Sequence, residues 1–367
     1  MSKAAELAAL IGSGQAQGNR NLIINGAMQV AQRGTSATVG PNGTGEGYTV
    51  VDRFQNSLSG SVVSTFSQST DAPSGFANSA KIDITTADTS LGGTEIWHLR
   101  YAFEGQDLQS IGKGTSDAKS ITLSFYVKSN KTGVYTIELQ DVDNDRRNSL
   151  AYTINNSNTW ERKSLTFKPD TTGAFTNDNN LSLRMNFVLV AGADLKSGTF
   201  YNGTWGANVA ANRVHSSQVN LGDSTDNEWY ITGVQLEVGD TATPFEHRSF
   251  GDELRRCQRY AYKIGGSRND TYGPGMGLYQ DGNEFNFGPV FPPATFRANP
   301  ALTVFGTAPA IKINGSATTG CTATISCAAN EMQFIRLTKS SHGLSGSDVA
   351  NMNFASTSDY IILDAEL

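Results

Sequence analysis

From Asn21 onward, apolar and polar residues alternate along most of the chain. The segment ITLSFYVKS is the clearest case. Ile121, Leu123, Phe125 and Val127 fall on one side of an extended chain, and Thr122, Ser124 and Tyr126 fall on the other, because successive strand side chains point to opposite faces. The segments SVVSTF, AKIDITT, VYTIELQD, WERKSLTF, LSLRMNFVLV and EWYITGVQLEV share this short, β-branched and aromatic character. About ten such segments, separated by turn residues, predict a two-sheet sandwich or jelly roll. No helical pattern lies between them, which disfavours a parallel α/β sheet.

The period changes twice. In KAAELAALI, Ala4, Leu7, Ala8 and Ile11 share one helical stripe, and Gly12 stops it. A helix this short is marginal alone, so it is expected to be ordered by packing on copies of itself or on a partner. GSGQAQGN then forms a flexible linker. In FGDELRRCQRYA, Phe250, Leu254, Cys257 and Ala261 form a second stripe, with Ser249 and Asp252 as a capping pair and Gly265-Gly266 as the stop. Beyond it, ALTVF, AIKI, TATISC, MQFIRL and YIILDAEL return to the strand pattern. Roughly seven such strands suit a second, smaller sandwich.

The expected organisation is therefore mainly β. An N-terminal helical segment and linker occupy residues 1–20, and a jelly-roll-like β-sandwich occupies 21–248. A linking helix at 249–264 leads to a C-terminal β domain at 265–367.

Composition supports this picture and removes several functions. Charged residues make up 17% of the chain, against about 25% in an ordinary soluble domain. The 38 glycines suit many tight turns. A net charge of −6 argues against a nucleic-acid partner, which calls for clustered cations. The one dense basic group, Arg255, Arg256 and Arg259, reads as a solvated helix face. No apolar run approaches the roughly 18 residues of a membrane span, so no membrane insertion is expected. The start MSKAAELAALIGSG lacks the pattern of a secretory signal. Three cysteines make no disulfide framework; Cys321 and Cys327 share one face of a strand.

Candidate chemistry is sparse. The stretch PFEHRSFGDELRRCQRY carries Glu246, His247, Arg248 and Cys257, residue types found in Cys–His nucleophilic sites. The helical stripe turns Cys257 inward with Phe250 and Leu254, however, where an apolar setting keeps a thiol inert. No nucleophile elbow, zincin helix or phosphate loop is present, and no cofactor is expected. DVDND sets Asp141, Asp143 and Asp145 as a calcium loop would begin. Arg146 takes the glycine position and Tyr152 the place of the bidentate glutamate, so a solvated turn is the preferred reading. In IWHLRYAFE, Trp97 is expected in the core and His98, on the opposite face, partly exposed.

Two loops carry aromatic residues among hydrogen-bonding ones, the composition of a carbohydrate-binding surface. SGTFYNGTWGANVAANRVHSSQ offers Tyr201 and Trp205; TYGPGMGLYQDGNEF offers Tyr272, Tyr279 and Phe285. The alternative is that these rings anchor their loops or fill a subunit interface.

NLIINGAMQVAQRG (21–34), VDRF (51–54), FEGQDL (103–108), SFYVKS (124–129), ITGVQLEVG (231–239) and FEHRSFGDELRRCQRY (245–260) occur in this order. In these blocks the chain resembles tail-fibre and related virion proteins of bacteriophages, particularly marine and cyanobacterial ones, with a carbohydrate-binding-module-like sandwich. The end of the chain resembles them more loosely, through FPPATFRANPALTV and YIILDAEL. The resemblance implies a virion structural protein assembled in the host bacterial cytoplasm, most simply a homotrimeric tail-fibre subunit. Its N-terminal segment would join other tail or head proteins, and its β domains would attach to host surface polysaccharide. The alternatives are a head fibre, decoration or tail adaptor protein without receptor binding, and, further off, a glycan depolymerase.

Overall fold

The alternating segments of residues 21–248 pair antiparallel into two six-stranded sheets. The computed structural model of the protein describes residues 20–41, 43–265, 276–281, 284–307, 309–313, 316–318, 321–328, 333–339, 349–354 and 359–367. The first sheet runs in the order β1 (Ser36–Val39), β3 (Val63–Ser69), β4 (Ser79–Thr86), β12 (Glu228–Val238), β6 (Ile121–Ser129) and β9 (Glu161–Phe167). The second runs β11 (Gly206–Ala207), β8 (Arg146–Ile154), β7 (Gly133–Asp141), β10 (Leu181–Ala191), β5 (Ile96–Glu104) and β2 (Phe54–Ser59). In each sheet a late strand inserts between earlier ones, β12 between β4 and β6 and β10 between β7 and β5. These crossovers make the sandwich jelly-roll-like.

The core fills the space between the sheets. Leu123, Phe125 and Val127 of β6, with Trp229 and Ile231 of β12, share one apolar cluster with Trp97, Leu99 and Tyr101 of β5 and Met185 and Phe187 of β10. Phe125 meets Phe187 edge to face across the sheets, ring centroids 5.3 Å apart, a favoured geometry for two quadrupoles. His98, expected to be partly exposed, is 2% exposed. It lies on the outer face of the second sheet, which is itself covered in part.

Residues 21–27, β12 and residues 246–248 meet at one corner. The segment Asn21–Ala27 lies along β12, where Leu22 N donates to Leu236 O at 2.9 Å and Val234 N donates to Gly26 O at 2.9 Å. Gly233 breaks the regular ladder there with φ of +62°, and the β12–β6 register shifts between Thr232 and Gln235. The segment after β12 closes over the same place. Glu246 Oε2 accepts from Asn21 N at 2.8 Å, and Arg248 donates to Ile23 O at 3.0 Å and Asn21 O at 2.6 Å. Arg53 of the VDRF block donates to Ala102 O at 2.7 Å and lies over the Tyr101 ring. Glu246 and Arg248 therefore hold backbone.

Residues 251–366 form a second unit. Its helix, α1 (Phe250–Gln258), is shorter than the helix expected over 249–264, and Ala261–Gly265 is a strand, β13. The strand takes over because Tyr260 O accepts from Ala365 N at 2.7 Å and β13 pairs with β22 (Tyr360–Asp364). Of the expected stripe, Cys257 is fully buried and Leu254 half-buried, but Phe250 is 56% exposed. Phe250 opens the helix, and the buried side is formed instead by Glu253, Cys257, Tyr260 and Ala261.

Two sheets follow. The smaller orders β13, β22 and β16 (Ala301–Phe305). The larger orders β18 (Ser316–Thr318), β17 (Ala310–Ile313), β21 (Val349–Asn353), β14 (Met276–Asp281), β15 (Glu284–Val290), β20 (Gln333–Thr338) and β19 (Thr322–Ala328). Ile361 and Leu363 of the small sheet share one apolar cluster with Phe285, Phe287, Ile335 and Leu337 of the large one. The unit is thus a second, smaller sandwich. The expected helix of Ala4, Leu7, Ala8 and Ile11 lies outside the described residues.

The corner at Asn21 makes a direct prediction. A Cβ on Gly26 would sit 2.1 Å from Val234 O, a backbone atom, whereas one on Gly40 would meet only side-chain atoms at 3.5 Å or more. Gly26→Ala should cost about 1–3 kcal/mol or more in denaturant unfolding of the sandwich. Gly40→Ala should stay within about 1 kcal/mol of the parent.

Candidate functional site

The outer face of the second sheet carries chemistry that its strand pattern would assign to solvent. Glu138 of β7 stands opposite Ser149 of β8 and Asn186 of β10, Asn186 opposite Arg100 of β5, and Arg100 opposite Gln55 of β2. These five residues make one polar row across five strands. A second row joins Arg147, Gln140, Arg184 and Ala102, and a third joins Ala151, Thr136, Val188, His98 and Ser57. Residues directly opposite in a sheet lie about 5 Å apart, so each row is a continuous strip of side chains.

Part of this face is roofed by the segment 192–220. Val188 and Ala191 of β10 pack with Leu195 and Val214 of that segment in a small apolar cluster. His215 N donates to Thr136 Oγ1 at 3.1 Å, Gln218 Nε2 to Val188 O at 3.1 Å, and Val219 N to Val134 O at 3.0 Å. The central fastening is Glu138. Arg213 of the roof reaches both its oxygens, Nε to Oε1 at 2.7 Å and Nη2 to Oε2 at 3.0 Å. Arg147 Nη1 adds a bond to Oε1 at 2.6 Å and Asn186 Nδ2 one to Oε2 at 2.8 Å. Burial alone would raise this carboxyl, but Arg213 first and then Arg147 pull it down to about 2. Glu138 is 0% exposed and stays ionised.

The rest of the face is open enough for Gln55, Arg100, Gln140 and Arg184 to be half-buried. Arg100 Nε donates to Asn186 Oδ1 at 3.0 Å and its Nη2 donates to His98 Nε2 at 2.6 Å. Burial, and then the Arg100 charge, push the His98 ring well below its usual range. A neutral ring accepting at Nε2 carries its proton on Nδ1. Burial and the neighbouring Arg184 lower Arg100 to about 10, and burial lowers Arg184. The Glu138 carboxylate offsets part of this at Arg100, and Tyr48 offsets part of it at both. Among the described residues, neither Arg100 nor Arg184 makes an ion pair with a carboxylate. A pocket of about 360 Å³ lies on the same sheet, lined by Ala151, Gly198, Phe200, Asn202, His215 and Ser216. Phe200 stands edge-on to His215 there at 5.2 Å.

The residues singled out from sequence fall elsewhere. Tyr201 is turned into its own loop, its hydroxyl accepting from Val209 N at 3.0 Å and donating to Ala207 O. Trp205 packs against the core, donates to Lys168 O at 3.0 Å and lies under the Lys113 ammonium. Both are loop anchors, because a ring that also has a polar handle gains by satisfying both ends locally. Phe285, offered as a glycan contact, is 0% exposed in the second unit's core, since it falls at an inward position of β15. Tyr279 lies on β14, and Tyr272 lies outside the described residues.

The three aspartates also separate. Asp141 pairs with Lys113 Nζ at 2.6 Å. Asp143 accepts from Thr176 N at 2.9 Å, and Asp145 from Asn208 Nδ2 at 2.8 Å. Among the described residues no group of three or more acidic, histidine or cysteine side chains is placed to hold a metal ion. The turn is closed by a lysine rather than by shared carboxylates.

Glu138, Arg100, Arg184, Gln140 and Arg213 escaped the sequence reading. The signal was present in IWHLRYAFE, VYTIELQD and LSLRMNFVLV, each of which carries charged or amide residues at alternate positions of a long strand.

No protein-family model matches the chain, and no curated protein does. Among solved structures it is similar to the enzymatically active domain of bacteriophage CBA120 tailspike protein 4, with 12% identity and a TM-score of 0.31, over 60% of this chain but only 21% of that one. It is similar to the C-terminal family 22 carbohydrate-binding module of Clostridium thermocellum Xyn10B, with 12% identity and a TM-score of 0.30, over 62% of this chain and 99% of that one. A family 11 carbohydrate-binding module of a Clostridium thermocellum cellulosomal cellulase gives 11% identity and a TM-score of 0.28, over 56% of this chain and 95% of that one. At these TM-scores none of the likenesses fixes a ligand, a partner or a reaction for this chain.

Glu138→Gln should cost about 3–5 kcal/mol, as expected when one member of a buried ion pair is removed. Limited proteolysis of that variant should cut first within 192–220. The folded-state value of about 2 lies below the ordinary 4.5. The carboxylate's contribution is therefore complete above about pH 4.5 and is lost as the pH falls through about 2. Urea midpoints recorded between those values should fall in the parent and stay flatter in Glu138→Gln.

Proposed function

We propose that the chain is a non-enzymatic virion appendage protein, a trimeric tail-fibre subunit that attaches its particle to glycans on the host surface. The glycan lies along the open part of the polar rows on the second sheet. The observation that carries this reading is the alignment of Gln55, Arg100 and Asn186 with Gln140 and Arg184, side by side across neighbouring strands and half-buried or buried. Amide groups both donate and accept, and guanidinium groups donate in a fixed fork. Together they suit a ligand made of hydroxyl groups. A rigid sheet holds such groups better than a loop does.

Binding rather than cleavage is favoured by the carboxylates. Hydrolysis of a glycoside ordinarily needs two of them, one able to give up a proton. In these rows Glu138 is the single carboxylate; both its oxygens are taken by arginines and asparagine, and it is held ionised. The Cys–His reading loses its support as well, because Cys257 is fully buried while Glu246 and Arg248 are engaged on backbone.

The order of sequence blocks supports the virion role, with residues 1–20 as the attachment segment. Trimerisation supplies the physical logic: weak sites repeated on one particle raise avidity by roughly 10²–10⁴ without new contacts.

The full-length protein is expected to be a trimer by light scattering and to adsorb to host cells. Gln140→Ala combined with Arg184→Ala should weaken adsorption about tenfold or more with melting unchanged. A parent protein that ignores cells, or that releases new reducing ends from host polysaccharide, would overturn the proposal. Cryo-electron microscopy of the particle decides between a tail fibre and a head-bound protein.

A further inference from the structure

The polar rows are electrostatically unbalanced. The three rows, with Arg213 that the roof lays on them, contain four arginines, Arg100, Arg147, Arg184 and Arg213, and the single carboxylate Glu138. Glu138 is spent on Arg147 and Arg213. Glu104, further along β5, accepts from Gln106 Nε2 at 2.6 Å. Arg100 is left with neutral acceptors, Asn186 Oδ1 and the His98 ring. These occupy its Nε and Nη2 and leave Nη1 without a hydrogen bond among the described residues. The Arg184 side chain makes no hydrogen bond among the described residues.

Two half-buried guanidinium groups near each other, neither bonded to a carboxylate and with the Glu138 charge offsetting only part of the burial cost at Arg100, carry a cost that a bound anion lowers. Each can still offer donors to an oxyanion, and guanidinium–oxyanion bonds are among the strongest in proteins. The surplus is local, because the chain as a whole carries a net charge of −6. Long-range attraction therefore works against a polyanion, while the local surplus on this face works for one.

We propose that the open part of the face selects an acidic glycan, whose sugar oxyanion seats between Arg100 and Arg184. The inference rests on the glycan-binding reading above and narrows its ligand class. Carboxylate and sulfate groups share this chemistry, and the neutral hydroxyls of the same chain would be met by Gln140 and Gln55.

Calorimetric titration of the full-length protein with polygalacturonate, with the same polymer after carboxyl reduction, and with dextran sulfate tests it. Binding to polygalacturonate identifies a carboxylate as the seated group, and binding to dextran sulfate alone identifies a sulfate. The reduced polymer should bind at least about tenfold more weakly than the acidic one. Arg184→Gln should lose about tenfold for the acidic polymer and flatten the dependence of affinity on salt. Arg184→Lys should retain part of the affinity, and Arg100→Gln, checked for an unchanged melt, should repeat the loss. Arg255→Gln, at an exposed helix position, should behave as the parent.

Equal binding of acidic and reduced polymers, with no effect of Arg184→Gln, would overturn the acidic selection and leave glycan binding standing. So would loss of affinity in Arg255→Gln as large as in Arg184→Gln, which would mark general charge attraction. Failure to bind either acidic polymer, with cell adsorption intact and indifferent to Arg184→Gln, overturns this inference alone. Failure of the parent to bind any polymer or any cell overturns the broader reading as well.

Discussion

A buried carboxylate sets the terms for the sandwich's outer face. Glu138 is removed from water, and it remains charged only because Arg213, Arg147 and Asn186 converge on it. An ion so placed is tolerable when every lone pair is met and costly otherwise. The segment 192–220 must therefore come down on the second sheet with Arg213 in place, and the small cluster of Val188, Ala191, Leu195 and Val214 closes beneath it. Consuming two arginines at one carboxylate also leaves Arg100 and Arg184 to neutral neighbours. The same ion pair that roofs one part of the face thus leaves the other part cationic.

The strands were legible in the sequence because their inward positions alternate without interruption. Ile121, Leu123, Phe125 and Val127 are buried in the core as their period requires. The helix near residue 250 was legible as an element but not in extent. Its stripe was continued through Ala261, whereas tertiary pairing with β22 takes Ala261 into a strand, and pairing of this kind overrides local period. With the helix starting only at Phe250, that ring is left exposed.

The site was hidden for a different reason. Aromatic residues in polar loops have the composition of a sugar-binding surface, yet Tyr201 and Trp205 satisfy their polar ends on nearby backbone and become struts. Arg100, Glu138 and Arg184 sit in long strands and read as ordinary solvent-facing positions. What brings them together is strand order, with β10 placed between β7 and β5, and a roof folded back from residues 192–220. Neither is encoded in local periodicity. His98 shows the same limit: its alternation was read correctly, but its burial depends on the cover above it.

The corner where Asn21 meets Glu246 and Arg248 has a mechanical consequence. The chain enters the sandwich at Asn21 and leaves it just after Arg248, and these points are bonded to each other directly. Tension applied between the two ends of the domain passes through that clamp and the adjoining edge of β12, not across the twelve strands. The sheets are side-loaded at one corner, and the face bearing Arg100 and Arg184 stays out of the line of pull. A domain wired this way can be pulled from both ends without the face of the second sheet being stretched.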